Sequence, residues 1–379
     1  MLYNAQCDFT QRRTMDKYRR KILKNSAIFG VAGGLASVST ILGLQGCDSN
    51  STKNSDTKDT AKNANSADSK LITKGEMMNT NPQVWYITGA SGGLGLELAK
   101  YLISKGDKVA ATSRKMGNIT AKLGVESESF LPLELRFDGD LNAQIAQNLN
   151  AVQQKFGRLD NVVNNAGYGL LGFVEETSEK QLREQFEVNV FAPFLVAQNA
   201  LKILRPQSLA EGGNAENIKA RIFNLSSIAG FRVSNNSTPY CMSKFAISAL
   251  SEGLLLDVGE YGIHTINVMP AGFRTEFLGA SMVKSDLEIS AYDARRKAFE
   301  QRSAQYSGKQ AGDPQKFAQI LYQVSRDPKP PFSLFMGDAA FKSAENKIAW
   351  VQSDIAATQA YAGAAADFAD AGNSAFDKR

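Results

Sequence analysis

A short apolar run that ends in spaced glycines constrains the fold of this 379-residue chain more than any other feature. Val84–Thr88 is typical of a buried strand, and Gly89, Gly93 and Gly95 follow it directly. Leucines then recur at helical spacing. A strand, a glycine turn and a helix in this order bring backbone N–H groups close to a dinucleotide pyrophosphate. This segment therefore predicts a dinucleotide site at the end of a parallel strand.

Strands and helices alternate through the rest of the chain. Further strands are predicted at Lys108–Thr112, Phe130–Leu135, Asp160–Asn164, Arg221–Leu225, His264–Met269 and Ser333–Gly337. Helices are predicted at Leu141–Phe156 and, despite Pro193, at Glu179–Leu204. This alternation is typical of an α/β fold, here a single-domain Rossmann-type, doubly wound parallel sheet with helices on both faces. Ligands of such sheets bind beyond the carboxyl ends of the strands.

A tyrosine and a lysine four residues apart indicate the chemistry. Tyr240 and Lys244 are expected on one face of a helix, because about one turn separates them. An ammonium group beside a phenol lowers the pKa of the phenol toward the working pH. We therefore expect Lys244 to make Tyr240 acidic enough to exchange a proton with a carbonyl oxygen.

Several motifs occur in the order of a known enzyme family. They are the G-x-x-x-G-x-G pattern of Gly89–Gly95, then Asn164–Gly167, Ser227, Tyr240–Lys244 and Pro270–Gly272. Together they resemble the short-chain dehydrogenase/reductase family, from Gln83 to the C-terminus. Gly167–Gly169, Phe231 and Phe273–Thr275 are similar to its hydroxysteroid- and retinol-dehydrogenase-like branch. The resemblance implies a NAD(P)-dependent oxidoreductase that transfers a hydride between the cofactor and a carbonyl or secondary alcohol.

The resemblance also implies a role for each catalytic residue. Tyr240 would be the general acid in reduction and the base in oxidation, while Lys244 would lower its pKa and bond the nicotinamide ribose. Ser227 would bond the substrate oxygen, and it is preferred to Ser226 because of the family spacing to Tyr240. Asn189 would hold a water molecule that feeds protons to Lys244.

The cofactor contacts that the resemblance implies are spread over several loops. They are Thr88, Gly89, Ser91, Gly93, Leu94, Gly95, Ser113, Arg114, Asn165, Ala166, Gly167, Tyr240, Lys244, Pro270, Gly272 and Thr275. Many NAD-binding members end the second strand with an acid, whereas Ala111–Lys115 contains none. Arg114 in this segment can pair with a ribose 2′-phosphate. NADP(H) is therefore favoured, with NAD(H) as the alternative.

Substrate identity is expected to depend on residues 276–307, which should form a mobile amphipathic lid over the nicotinamide. The apolar side chains of the lid, with Tyr168, Leu170 and Phe231, indicate a small apolar alcohol or carbonyl compound, unless they only pack the lid. The rival hypothesis is a NADP-binding sensor or scaffold protein with little turnover. Such proteins commonly lose the tyrosine or the lysine, and this chain keeps both.

Residues 1–47 resemble an export leader. A basic run precedes an uncharged stretch from Asn25 to Gly46, which is the arrangement of a secretory signal. Arg19–Lys24 resembles a twin-arginine motif, and Leu44–Cys47 resembles a lipobox whose Cys47 would carry lipid. We expect a membrane-associated lipoprotein of the cell envelope. The alternative is an uncleaved anchor that leaves the domain on the cytoplasmic side of the inner membrane.

Composition defines the remaining segments. Residues 48–82 are polar and predict a disordered linker, followed by the Rossmann domain at 83–340 and a helical tail at 341–379. Residues 1–24 hold seven Lys or Arg and two Asp or Glu, so 36 of each sign remain elsewhere. The neutral body excludes a broad basic surface for nucleic acid. The three cysteines are dispersed and predict neither a metal site nor a disulfide framework. The resemblance to the short-chain dehydrogenase/reductase family implies a homodimer or homotetramer.

Overall fold

The computed structural model describes residues 81–279, 281–361, 363 and 365–366. The predicted leader with Cys47 lies outside these residues, and so do residues 48–80 of the predicted linker and residues 367–379 of the predicted tail. Among the helices that the structure describes, none combines the length and the apolar character needed to cross a membrane.

A seven-stranded parallel sheet forms the centre of the domain. The strands of the described chain are β1 Val84–Ile87, β2 Lys108–Ser113, β3 Phe130–Glu134, β4 Asn161–Asn164, β5 Gly169–Leu171, β6 Ala220–Leu225, β7 Ile263–Pro270, β8 Met282–Lys284 and β9 Ser333–Met336. The sheet has the order β3-β2-β1-β4-β6-β7-β9, and all its neighbours are parallel. The strand order reverses between β1 and β4, so a crevice opens there at the carboxyl ends.

Helices cover both faces of this sheet, which confirms the predicted fold class. They are α1 Gly93–Ser104, α2 Met116–Leu123, α3 Leu141–Phe156, α4 Glu179–Phe186, α5 Ala192–Ala210, α6 Thr238–Val258, α7 Asp293–Tyr306, α8 Pro314–Val324 and α9 Asp338–Gln359. Trp85 and Ile87 of β1 pack with α1 and α8, whereas Val84 and Tyr86 pack with α3 and α5. Alternate residues of one strand thus enter opposite layers, and each buried side chain stabilises the fold by about 1.5–3 kcal/mol.

The predicted helix Glu179–Leu204 is interrupted, so this prediction is wrong in its continuity. A π-helical segment, Glu187–Phe191, separates α4 from α5. Pro193 stands at the start of α5, where its ring and its missing N–H oppose a regular α-helical ladder through the preceding turn. The wider turn accommodates this break, and such segments are frequent at functional sites.

A second, two-stranded parallel sheet was not predicted. It pairs β5, in the loop after β4, with β8, inside the predicted lid. Each strand has three residues, and more than a hundred residues separate the two along the chain. Local patterning has no signal for a pairing this short and this distant. The small sheet joins the lid to the carboxyl-end crevice.

Candidate active site

Tyr240 and Lys244 lie in the first two turns of α6, as the spacing predicts. The Lys244 Nζ atom is 5.7 Å from the centroid of the Tyr240 ring. The same atom donates a hydrogen bond of 2.7 Å to the carbonyl of Leu225, the last residue of β6. The pair is therefore held at the carboxyl end of the sheet, where ligands of this fold class bind.

Burial controls the protonation of both groups. It raises the pKa of Tyr240 above its ordinary value, and a hydrogen bond with Ser227 opposes this by a smaller amount. Burial also lowers the pKa of Lys244 to about 8. Desolvation therefore dominates the pKa of Tyr240, and the Lys244 ammonium is hydrogen-bonded to Leu225; the expected lowering of the phenol pKa by Lys244 stays a prediction. Tyr240 is a neutral phenol at neutral pH, the form that can donate a proton to a carbonyl oxygen.

The two serines after β6 make different contacts. The Ser227 hydroxyl meets the Tyr240 phenol, and its Oγ accepts a hydrogen bond of 3.1 Å from the N–H of Ala229. Ser226 is buried, and its Oγ donates to the Lys244 carbonyl at 2.9 Å. Ser227 is thus the serine beside the phenol, whereas Ser226 secures the backbone of α6.

Asn189 lies buried in the π-helical segment between α4 and α5. Its Oδ1 accepts from the N–H of Tyr168 at 3.1 Å, and its Nδ2 donates to the Tyr168 carbonyl at 3.0 Å and to the Ser243 hydroxyl at 3.1 Å. A Cβ on Gly167 would stand 3.1 Å from Asn189 Oδ1 and 3.7 Å from Lys244 Nζ. Asn189 thus clamps the loop after β4 beside the lysine, and its water-holding role stays a prediction.

The glycine turn after β1 meets the loop after β4 too closely for larger side chains. Gly89 has a φ of +68°, and a Cβ there would stand 2.8 Å from the Cα of Ala166. A Cβ on Gly95 would stand 2.4 Å from Asn165 Nδ2, which donates to the carbonyls of Thr88 and Gly89 at 2.9 Å each. Thr88 Oγ1 accepts from the N–H groups of Asn165 and Ala166 at 3.1 Å each. These contacts join the two loops into one cradle.

The N-terminus of α1 opens into this cradle. Gly92 is the N-cap residue, no side chain within the described ranges caps the helix, and its first turn contains no acid. Its first backbone N–H groups are therefore available to an anion. A Cβ on Gly93 would stand 3.8 Å from the Cβ of Thr275, so the loop after β7 borders the same helix end. Its glycines let the backbone approach closely and the start of α1 offers N–H groups, so the cradle fits a dinucleotide pyrophosphate.

The end of β2 presents polar and basic groups near the cradle. Ser113 is buried, whereas Arg114 is exposed and makes no ion pair with any residue the structure describes. Lys122 of α2 donates a hydrogen bond of 2.6 Å to the carbonyl of Ser91, in the glycine turn. The sequence prediction missed Lys122, because only the folded chain brings α2 against this turn.

The remaining predicted cofactor residues surround the same crevice. Leu94 is partly buried against the core, so packing accounts for its side chain. Pro270 ends β7, and the carbonyl of Gly272 accepts from the N–H of Gly312 at 3.0 Å. Thr275 caps the turn that follows it.

A family model described as short chain dehydrogenase matches residues 83–285. The chain belongs to this family. The short-chain dehydrogenase is 32% identical to an oxidoreductase of Botryotinia fuckeliana, BOA17, over 265 residues that cover 69% of this chain and 91% of that protein. A short-chain dehydrogenase of Streptomyces avermitilis has a similar structure, with a TM-score of 0.66 and 27% identity over 76% of this chain and 100% of that chain.

This short-chain dehydrogenase is a nicotinamide-dependent oxidoreductase. A 3-ketoacyl-(acyl-carrier-protein) reductase of Brucella melitensis, solved with NADH, shares its fold with a TM-score of 0.54 and 20% identity over 67% of this chain and 96% of that one. Other structures of the fold contain NADP or NAD. A nicotinamide cofactor is thus supported without a preference among its forms. The hydroxysteroid- and retinol-dehydrogenase-like branch stays a prediction.

The lid of this short-chain dehydrogenase packs directly on the catalytic tyrosine. The ring centroids of Phe277 and Tyr240 are 5.7 Å apart. Farther along the lid, β8 pairs with β5, and α7 ends at Tyr306. A Cβ on Gly272 would stand 2.8 Å from the Tyr306 hydroxyl, so a larger residue there would displace the Tyr306 side chain at the end of α7.

Glu176 holds the lid from inside, and the sequence prediction missed it. Its side chain is 1% exposed and pairs with Arg296 of α7, which also pairs with Asp293. Its Oε1 accepts from the N–H of Ile289 at 3.0 Å, and its carbonyl accepts from the N–H of Leu287 at 3.2 Å. Removing one partner of a buried ion pair costs about 3–5 kcal/mol. The lid is therefore held closed by bonds to the side chain and the backbone of one buried residue, Glu176.

Two of the predicted substrate residues have packing contacts, and their contact with substrate stays a prediction. Phe231 stacks edge-to-face on Phe335 with ring centroids 5.4 Å apart, because the last sheet strand passes beneath it. Leu170 is fully buried. Tyr168 is half-buried beside the clamp, and burial raises the pKa of its phenol to about 12.

Proposed function

We propose that this short-chain dehydrogenase reduces a small apolar ketone or aldehyde with NADPH, or oxidises the corresponding alcohol with NADP. One observation carries the proposal. The neutral phenol of Tyr240 meets the hydroxyl of Ser227, and its ring packs on the apolar ring of Phe277. A proton donor, a second hydrogen-bonding group and an apolar wall are what an uncharged carbonyl compound requires.

The roles of the chain's own residues follow from this geometry. Tyr240 donates its proton to the carbonyl oxygen in reduction, and Ser227 bonds the same oxygen while negative charge develops on it. Lys244 lies beside the ring and is partly protonated near its pKa of about 8, so its charge stabilises the phenolate that Tyr240 leaves. Asn189 keeps the Gly167–Tyr168 loop against Lys244. A nicotinamide cofactor bound in the cradle supplies the hydride.

NADPH oxidation against a panel of aliphatic, cyclic and aromatic ketones and aldehydes tests the proposal. We expect turnover by the wild type that Tyr240→Phe abolishes. The rival hypothesis, a NADP-binding sensor or scaffold, is not favoured, because the family is one of oxidoreductases and the catalytic groups are present. NADPH binding without turnover of any panel member, with no effect of Tyr240→Phe, would support the sensor instead.

The preference for NADP(H) over NAD(H) rests on the end of β2. The exposed guanidinium of Arg114 follows buried Ser113, and the segment Ala111–Lys115 itself contains no acid to bond the ribose hydroxyls. Calorimetric titration with NADPH and NADH tests this preference in the wild type and in Arg114→Gln. The variant should lose affinity for NADPH and keep its affinity for NADH. An equal loss for both cofactors would argue against a phosphate contact.

We also propose that the protein is a lipoprotein of the cell envelope, exported by the twin-arginine route. The support is the sequence of residues 1–47, with its arginine pair at Arg19–Arg20 and Cys47 at the end of the lipobox-like segment. Mass spectrometry of the cell-envelope protein should find acyl chains on Cys47. A full-length, unmodified protein in the cytosol would contradict this, whereas a full-length membrane protein would support the uncleaved anchor.

We further propose assembly into a homodimer or homotetramer. Six large apolar side chains on or next to α5 and α6 are at least 40% exposed, namely Phe191, Phe194, Leu209, Met242, Phe245 and Leu256. Exposed apolar side chains clustered on neighbouring helices are typical of protein interfaces. Light scattering of the purified domain should give a multiple of its monomer mass, and Phe194→Glu should reduce that mass.

A further inference from the structure

A cavity of about 280 Å³ lies beneath the lid. Apolar side chains form much of its wall, namely Leu171, Leu278, Met282, Leu287 and Phe299. Leu278 directly follows Phe277, whose ring packs on Tyr240. The cavity is therefore placed to hold the part of a substrate that extends away from the reacting carbon.

One polar residue of this wall, Asn236, has an unusual backbone. Its φ of +57° is in the left-handed region, which few residues other than glycine adopt. Its carbonyl accepts from the N–H of Gly172 at 3.1 Å, and the neighbouring Ser237 forms a bridge with the same glycine. The parallel contact holds Asn236 four residues before Tyr240, on the rim shared by the cavity and the catalytic helix.

The side-chain amide of Asn236 is buried without a complete set of partners. The residue is 8% exposed, and its Oδ1 has no hydrogen-bond partner among the residues that the structure describes. Buried amides are normally paired, so an unpaired one in a cavity wall indicates a group that a ligand satisfies. The amide carries both an acceptor and a donor, so a hydroxyl group can bond to it in either orientation.

The charges around the cavity argue against an anionic ligand. Lys284 pairs with Glu300 at 2.7 Å, and Arg296 pairs with buried Glu176 and lies 3.8 Å from Glu288. Both cations of the wall are thus matched, and its three carboxylates outnumber them. A carboxylate or phosphate in the cavity would meet a net negative wall, whereas an uncharged group would not.

From these observations we infer that Asn236 is a specificity-determining residue. It selects apolar carbonyl compounds or alcohols that are uncharged and carry a second hydroxyl group remote from the reacting carbon. The inference rests on the proposed function, since it assigns a substrate class to the same site. The left-handed backbone matters because asparagine tolerates this conformation better than most residues, so few other polar side chains could occupy this place in the cavity wall.

A matched set of ketones tests this inference. We would compare a phenylcyclohexanone with its hydroxyphenyl positional isomers and its carboxyphenyl isomers, measuring kcat/KM with NADPH. At least one hydroxyphenyl isomer should exceed the parent by about threefold to tenfold, the effect of one net hydrogen bond, and every carboxyphenyl isomer should fall below the parent. No preference for any hydroxyphenyl isomer, or a preference for a carboxylate, would overturn the inference.

Two variants assign the preference to the amide. Asn236→Gly keeps a residue that accepts the left-handed backbone but removes the side chain. The kcat/KM for the hydroxyphenyl ketone, divided by that for the phenyl ketone, should therefore fall to about one. Asn236→Asp keeps an acceptor at the same place, so it should retain the hydroxyl preference and reject the carboxylates further. A ratio that survives Asn236→Gly would assign the preference to another residue. Thermal unfolding of both variants would show that they are folded.

Binding separates a failure of this inference from a failure of the proposed function. Calorimetry in the Tyr240→Phe background, with NADP present, would compare the phenyl and hydroxyphenyl ketones without turnover. If no ketone were reduced by the wild type but a hydroxyphenyl isomer bound more tightly through Asn236, the proposed function would fail and the selectivity would stand. Turnover with no hydroxyl selectivity in either assay would refute the role of Asn236 alone.

Discussion

The ammonium group of Lys244 is hydrogen-bonded to the backbone carbonyl of Leu225 at 2.7 Å, not to the phenol of Tyr240. This bond ties the catalytic helix to the carboxyl end of β6 and buries the charge at 7% residue exposure. Burying the lysine lowers its pKa to about 8, while burying the tyrosine raises that of the phenol. Loss of water thus moves the two pKa values apart, which keeps Tyr240 a neutral proton donor and makes Lys244 easier to deprotonate.

Tyr240→Phe should reduce kcat by about a hundredfold to ten-thousandfold, because it removes the proton donor and leaves the cofactor cradle intact. Cofactor affinity should change by less than about threefold. Steady-state kinetics and titration with NADPH would measure both quantities. Tyr261→Phe, in the turn beyond the other end of α6, is the matched control and should be near wild type. A Tyr240→Phe enzyme of full activity would show that another group donates the proton.

Lys244→Met should be inactive yet more stable than the wild type near pH 7, by about 1–3 kcal/mol, because it removes a buried charge. The folded pKa of about 8 lies below the ordinary lysine pKa of 10.5, so the unfolded chain binds more protons between these values. Lys244 therefore makes the wild type gain stability as pH rises through this window. Urea unfolding near pH 7 and pH 9.5 should show that the gap between variant and wild type narrows at the higher pH.

Lys202→Met, at an exposed position of α5, is the control for loss of a lysine and should leave the pH dependence unchanged. If the stability gap between Lys244→Met and the wild type were constant with pH, the buried lysine would not have the lowered pKa described above.

Gly95→Ala should weaken NADPH binding by at least about tenfold, because its Cβ would stand 2.4 Å from Asn165 Nδ2 and displace the joint between the two loops. Gly92→Ala is a control in the same turn. Its backbone is extended, with a φ of −170°, and no described atom lies within 4 Å of the added Cβ. Calorimetric titration of both variants tests the prediction. Equal losses would mean that flexibility of the turn, not its contact with Asn165, is what matters.

Glu176→Gln should loosen the lid and lower the free energy of unfolding by about 2–4 kcal/mol, since it leaves Arg296 without its buried partner. Limited proteolysis should then cut residues 276–307 faster than in the wild type. Glu288→Gln removes a carboxylate whose side chain is 77% exposed, so it should change stability by less than about 1 kcal/mol. If Glu176→Gln and Glu288→Gln changed the free energy of unfolding and the rate of proteolysis equally, burial of Glu176 would not be what holds the lid.

Local patterns predicted the elements that depend on local causes. The bounds of α3 agree with the prediction at both ends, because Asp140 caps its start, Gly157 ends it in a left-handed conformation, and the apolar repeat lies between them. The continuity of the helix through Pro193 was predicted wrongly, since the apolar repeat masked a π-helical break. The spacing of Tyr240 and Lys244 on α6 could be predicted for the same local reason, but their protonation states could not.

The parts that escaped prediction depend on contacts between distant segments. Glu176 and Arg296 are 120 residues apart, and the bond between Lys122 and Ser91 needs α2 to fold against the first glycine turn. Burial decided the pKa of Tyr240 and Lys244, and burial is a property of the whole fold. Asn236 has no motif of its own, and only its cavity distinguishes it from other loop asparagines.

The three-residue pairing of β5 with β8 has a consequence for the pace of the reaction cycle. Release of a product sideways from the cavity would require the backbone hydrogen bonds between β5 and β8 to break, and not only the movement of an unattached loop. We therefore expect escape of the product, and not the proton step at Tyr240, to set the overall speed with good substrates.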